Sequence, residues 1–84
     1  MATGEGELEA SVFAIMGRVL SVPPESINED SSPDTLASWD SLAHMNLVLA
    51  LEEELAVQFT EEQIVDMLNA KLIVLAVTEA RGKS

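Results

Sequence analysis

The sequence predicts an all-α fold, a bundle of three longer helices and a short third one, with a long loop between the first and second. Three observations lead there. Apolar residues recur at spacings of three and four, start and stop signals separate the helical segments, and the single apolar run that also reads as a buried strand has no strand to pair with. The 84 residues suit one domain, expected over 1–84 with frayed ends at 1–6 and 79–84.

From Glu7 to Leu20, the side chains of Leu8, Val12, Ile15, Met16 and Val19 form one stripe, which Phe13 and Leu20 widen. Pro23 and Pro24 stop this helix, because proline has no amide hydrogen and its ring clashes with the preceding turn. The segment ESINEDSSPDTLASW that follows has no helical or alternating period, and Pro33 breaks it again. A connection of about twenty residues is long for a compact domain, so it should be functional or pinned by its few apolar members. Ile27, Leu36 and Trp39 are the pins it offers.

The second helix is expected from Ser41 to about Val57, with Asp40 as N-cap, since a carboxylate accepts the amide hydrogens that a first turn leaves unpaired. Thr60, Glu61, Glu62 and Gln63 spell a capping box before Ile64, Met67 and Leu68, a short third helix. The last helix should begin after Asn69 and hold the run LIVLAV, Leu72 to Val77, as a short, heavily buried segment. No internal repeat or low-complexity segment is present.

Composition narrows the function. Fifteen acids against four Lys and Arg give a formal charge of -11, which repels phosphate backbones and anionic lipid, so partners should present basic patches and nucleic acid is excluded. At 48% hydrophobic the chain is too apolar for an acidic disordered tail. The absence of cysteine removes disulfides, thiolate chemistry and Cys-based metal sites. MATGEGELEA has neither the basic start nor the apolar stretch of a signal peptide, and no apolar run nears the ~20 residues of a membrane span. A free-standing cytoplasmic monomer without stable membrane insertion is the expectation. Asp30 and Asp34 lack the glycine and closing glutamate of a calcium loop, so no metal site is expected.

Advancing about 100° per residue splits the second helix into two apolar stripes. Leu47, Val48, Leu51 and Leu55 make one; Leu42, Met45 and Leu49 make the other, beside Asn46, Glu52 and Glu53. The second is either further core or an apolar surface with a charged rim, suited to docking. Ser41 lies in the first turn, where outward N–H groups and the helix dipole favour a negative charge such as an attached phosphate; for a serine after an aspartate taken alone, a part in the cap is the favoured reading.

Asp40, Ser41 and Leu42, the tripeptide DSL, open an apolar helix that closes in LEEEL and follows a long loop after an amphipathic helix. This arrangement, about halfway along an acidic chain, resembles the acyl carrier proteins from about Leu8 to Val77. The resemblance implies that Ser41, flanked by Asp40 and Leu42, receives 4'-phosphopantetheine from coenzyme A through a separate phosphopantetheinyl transferase. The terminal thiol of that arm would hold acyl groups as thioesters, so that a protein without cysteine handles thioester chemistry and catalyses nothing itself. Met45, Asn46, Leu49, Glu52 and Glu53 would then meet acyl-loading and acyl-using enzymes.

Many fatty-acid carriers have acids two and five positions after the modified serine, where this chain has Ala43 and Asn46; in LASWD, Trp39 is similar to specialised carriers. A specialised pathway, for a secondary metabolite, modified lipid or surface polysaccharide, is the reading preferred over housekeeping fatty-acid synthesis or a carrier-like interaction module without cargo. Asp40, Ser41 and His44 also contain the residue types of a hydrolase triad, and WDSL superficially resembles the GDSL of an esterase family. A triad needs its acid behind the histidine and an oxyanion hole, neither of which this chain offers. His44 is expected at the rim of the core stripe.

Overall fold

The computed structural model describes residues 4–82, which form α1 (Gly4–Leu20), α2 (Ser41–Leu55), α3 (Glu61–Val65) and α4 (Ala70–Gly82), with a 3-10 turn at Pro24–Ser26. No strand occurs among the described residues, so the all-α expectation holds, with the helices in the expected order. Helix covers 4–6 and 79–82, where fraying was expected; 1–3 and 83–84 lie outside the described residues. Both extensions continue from buried turns, at Leu8 and Ala80, and lengthening an anchored helix is much easier than nucleating one.

The core forms where three helix faces meet. Val12 and Met16 of α1, Leu47 and Leu51 of α2, and Ile73 and Val77 of α4 have no solvent exposure. Leu55, expected in the same stripe, is only half-buried. In α4, Ile73, Ala76 and Val77 are buried while Leu75 is exposed, so LIVLAV winds round an amphipathic helix of 13 residues that buries one face, longer and less buried than expected.

Helices α1 and α2 end by the same device. Ser21 and Ala56 adopt left-handed backbone, with φ of 60° and 55°, and the next residues return an N–H to a carbonyl five positions back: Val22 to Gly17 at 3.0 Å, Val57 to Glu52 at 3.2 Å. This turns Val57 out of α2, which stops at Leu55, two residues earlier than the sequence suggests, and buries its side chain. At Gly17 a Cβ would stand 2.8 Å from the Val22 carbonyl oxygen and 3.2 Å from Pro24, so only glycine lets the chain fold back this closely.

The long loop is held by its own side chains. Asn28 Oδ1 accepts from the Asp30 N–H, Ser31 Oγ from the Asn28 N–H, and Thr35 Oγ1 from the Ser32 N–H, each local bond standing in for a helical one. Ile27 and Trp39 are buried and Leu36 half-buried, so two of the three expected pins are seated in full. Two further anchors carry no apolar signature. The carbonyls of Ser31 and Glu29 accept the Ala70 and Lys71 N–H groups at 2.8 and 3.1 Å, and so cap the start of α4 together with Asn69, whose Oδ1 takes the Leu72 N–H. The loop is thereby tied to α4 at one end and delivers Asp40 to α2 at the other.

Candidate functional site

Asp40 has extended backbone; its Oδ1 accepts the Ala43 N–H at 2.8 Å and its carbonyl accepts the His44 N–H at 2.8 Å, which is the expected N-cap. Ser41 follows as the first residue of α2, with an exposed side chain. Its hydroxyl has no hydrogen-bond partner among the described residues. Ser41 therefore does not act as a side-chain cap, because Asp40 does that work. A nucleophile or an attached phosphodiester at Ser41 Oγ meets open solvent and the positive end of a 15-residue helix.

Beside Ser41 a groove of about 560 Å³ opens between the start of α2 and α3, walled by Trp39, His44, Met45, Ile64, Val65 and Leu68. Its surface is mostly apolar. A depression of similar size at the other end of α2, bounded by Glu52, Glu53 and Gln58, lies away from the serine and is far more acidic.

Trp39 is buried at the inner end of the groove, and its indole N–H donates to His44 Nδ1 at 3.0 Å, with the two rings stacked at 20° and 6.1 Å between centroids. An indole nitrogen only donates, so Nδ1 carries a lone pair and the proton sits on Nε2. That Nε2–H donates to the Ile64 carbonyl of α3 at 3.1 Å. The half-buried histidine sits at the rim of the core stripe, as expected, with both nitrogens occupied. The hydrolase arrangement fails on the same geometry: His44 faces Trp39 and Ile64 instead of Ser41, and the Asp40 carboxylate is engaged by the helix cap.

The two stripes of α2 separate as two different surfaces. Leu47, Val48 and Leu51 are buried, whereas Leu42, Met45 and Leu49 are 72%, 49% and 55% exposed, which resolves the choice in favour of an outward apolar face. Asn46 and Glu53 are exposed beside them. Glu52 is half-buried and its carboxylate accepts the Phe59 N–H at 3.0 Å, tying α2 to the chain that leads into α3. Sequence reasoning did not anticipate that Val65 and Leu68, 72% and 64% exposed, extend the apolar face across the groove. This α3 buries none of its five residues, and Leu68 lies beyond its end, so the apolar residues read as the buried side of a third helix are partly turned outward.

A carrier domain is the class of protein these features fit: a small helical bundle with a bare serine hydroxyl at the mouth of a helix and an exposed apolar face next to it. The phosphopantetheine attachment site family matches residues 10–75, and the chain belongs to that family. Its prosthetic group is 4'-phosphopantetheine. The solution structure of a holo acyl carrier protein from Geobacter metallireducens is similar, with a TM-score of 0.81 over 89% of this chain and 86% of that one, at 21% identity. The fold is thus that of an acyl carrier protein. No curated protein matches the sequence. No helix among the described residues is long and apolar enough to cross a membrane.

Proposed function

We propose that Ser41 is the residue that carries the 4'-phosphopantetheine arm, and that the chain presents acyl groups to partner enzymes of a specialised biosynthetic pathway in the cytoplasm. The observation that carries this reading is the unpartnered, exposed Ser41 hydroxyl at the start of α2. When bound, the arm supplies a thiol that holds acyl groups as thioesters. The protein's own residues hold the attachment point. Asp40 fixes the first turn of α2, Trp39 anchors the loop that leads to it, and the end of the helix favours the negative phosphodiester. Leu42, Met45 and Leu49 offer apolar contact to a transferase or an acyl enzyme, and the exposed acids Glu53, Glu61, Glu62 and Asp66 attract its basic patch.

Incubation with coenzyme A and a broad-specificity phosphopantetheinyl transferase, followed by intact-protein mass spectrometry, tests the carrier reading: one arm per chain supports it, and none rejects it. The specialised pathway is tested through charge. Asn46 is exposed on the docking face, whereas Ala43 is half-buried against the core, so Asn46→Glu is the cleaner way to restore an acid. With a fatty-acid malonyltransferase at low salt, Asn46→Glu should load roughly two- to fivefold faster than the wild type through faster encounter. A wild type that loads as fast as a housekeeping carrier, with no gain in the variant, would assign the chain to fatty-acid synthesis.

A further inference from the structure

We propose that His44 is a positioning residue that sets the width of the groove beside Ser41 by fastening α3 to α2. The proposal rests on the carrier reading only where it concerns what enters the groove. Among the described residues, α3 is the element with the weakest hold on the bundle. It spans Glu61–Val65, contains no buried residue, and is fixed at its start by a capping box between Thr60 and Gln63 and by one exposed tie to α4, the Gln63 side-chain amide donating to the Glu79 carboxylate at 3.2 Å. Ile64 is half-buried and Val65 points to solvent. Met67, buried just beyond the helix, seats the chain that leaves it.

Against that background one side-chain bond joins α2 directly to the α3 backbone, from His44 Nε2 to the Ile64 carbonyl. It is aimed from behind. Trp39, almost fully buried and therefore unable to shift without opening the core, donates to the other ring nitrogen and selects the tautomer that presents a hydrogen to α3. The chain of contacts thus runs from a fixed indole through a neutral imidazole to a loosely held helix, and all three members line the groove. Breaking the last bond removes the tie between α2 and the Ile64 end of α3 and leaves the exposed Gln63–Glu79 contact nearer its start, so that the Ile64 end moves more easily and the groove widens towards Val65 and Leu68. With the bond made, the groove stays narrow and takes a short or slim chain. His44 in this way sets which attached groups are sheltered.

Amide hydrogen exchange on the unmodified protein tests the latch without any reference to cargo. His44→Phe keeps an aromatic ring beside Trp39, somewhat larger than the imidazole, but removes both hydrogen bonds. It should speed exchange of the amides from Ile64 to Leu68 by roughly five- to tenfold while core amides of α1 and α4 change less than about twofold. His44→Gln, whose amide carries an acceptor and a donor at similar reach, should bring α3 back to within about threefold of wild type. Unchanged α3 exchange in His44→Phe, an equal rise in all helices, or no rescue by Gln would each overturn the proposal. On the arm-bearing protein loaded with a medium-length acyl chain, cleavage of the thioester by hydroxylamine should slow in His44→Phe by several fold as the wider groove shelters the chain. An unaltered or faster rate would overturn the role in selecting cargo. If no variant and no wild type accepts the arm, the carrier reading fails, and the exchange result still decides the latch.

Discussion

Leu51→Ala should lower the unfolding free energy by about 2–5 kcal/mol, measured by urea denaturation, because it removes three carbons from a side chain with no solvent exposure at the meeting of α1, α2 and α4. Leu49→Glu, two positions away on the same helix, should change it by no more than about 0.5 kcal/mol, since that side chain is 55% exposed. A domain this small has a total stability of about 5–10 kcal/mol, so the first variant approaches the limit of folding. Transfer of the arm should respond in the opposite order: Leu49→Glu should slow it at sub-saturating protein by spoiling the docking face, while Leu51→Ala should be modified at near-normal rate at temperatures where it is folded. Equal stability losses in the two variants would contradict the division of α2 into a core face and a docking face.

Ser41→Ala should abolish addition of 4'-phosphopantetheine altogether and leave the fold in place. The loss is complete because the variant has no oxygen at the start of α2 to form the phosphodiester. The fold persists because the cap belongs to Asp40, the Ser41 hydroxyl has no partner among the described residues, and alanine is readily accommodated in a helix. The thermal midpoint should stay within about 3 °C of wild type, equivalent to roughly 0.5 kcal/mol for this length. By contrast, Asp40→Ala should cost about 1 kcal/mol through the cap and keep the modifiable hydroxyl. Comparing the two separates the residue that holds the helix from the residue that is modified.

Much of this was legible in the sequence where a local rule and the tertiary structure agree. Asp40 and the Thr60–Gln63 box mark helix starts with side chains whose chemistry only needs the next few residues, and both caps form as read. The split of α2 into Leu47–Leu51 and Leu42–Leu49 stripes followed from helical turn alone, although which stripe faced solvent needed the structure. The end of α1 was legible from Pro23 and Pro24, but that of α2 was not, because Ala56 takes a left-handed conformation that glycine or asparagine usually announces. The loop concealed most. Its backbone carbonyls at Glu29 and Ser31 cap α4 across a sequence gap of about forty residues, and main-chain acceptors leave no mark in side-chain identity. For the site, the exposed place of Ser41 at the start of α2 is where the sequence puts it, while its proposed role as attachment point came from the resemblance of DSL and its setting to the acyl carrier proteins and not from the helix mouth itself. The Trp39–His44–Ile64 connection was not legible, since it depends on α3 returning to α2 with its backbone oxygen in reach.

The most direct test of the account is to map the modification on the wild-type protein. After treatment with coenzyme A and transferase, tandem mass spectrometry of the peptide that contains both Ser38 and Ser41 should find the arm on Ser41 alone. Ser38 is also exposed, but it lies in the loop, before the capped turn of α2 that holds Ser41 beside the exposed apolar face. The arm on Ser38, or on a hydroxyl of another loop residue such as Ser32 or Thr35, would contradict the assignment of Ser41 as the attachment point.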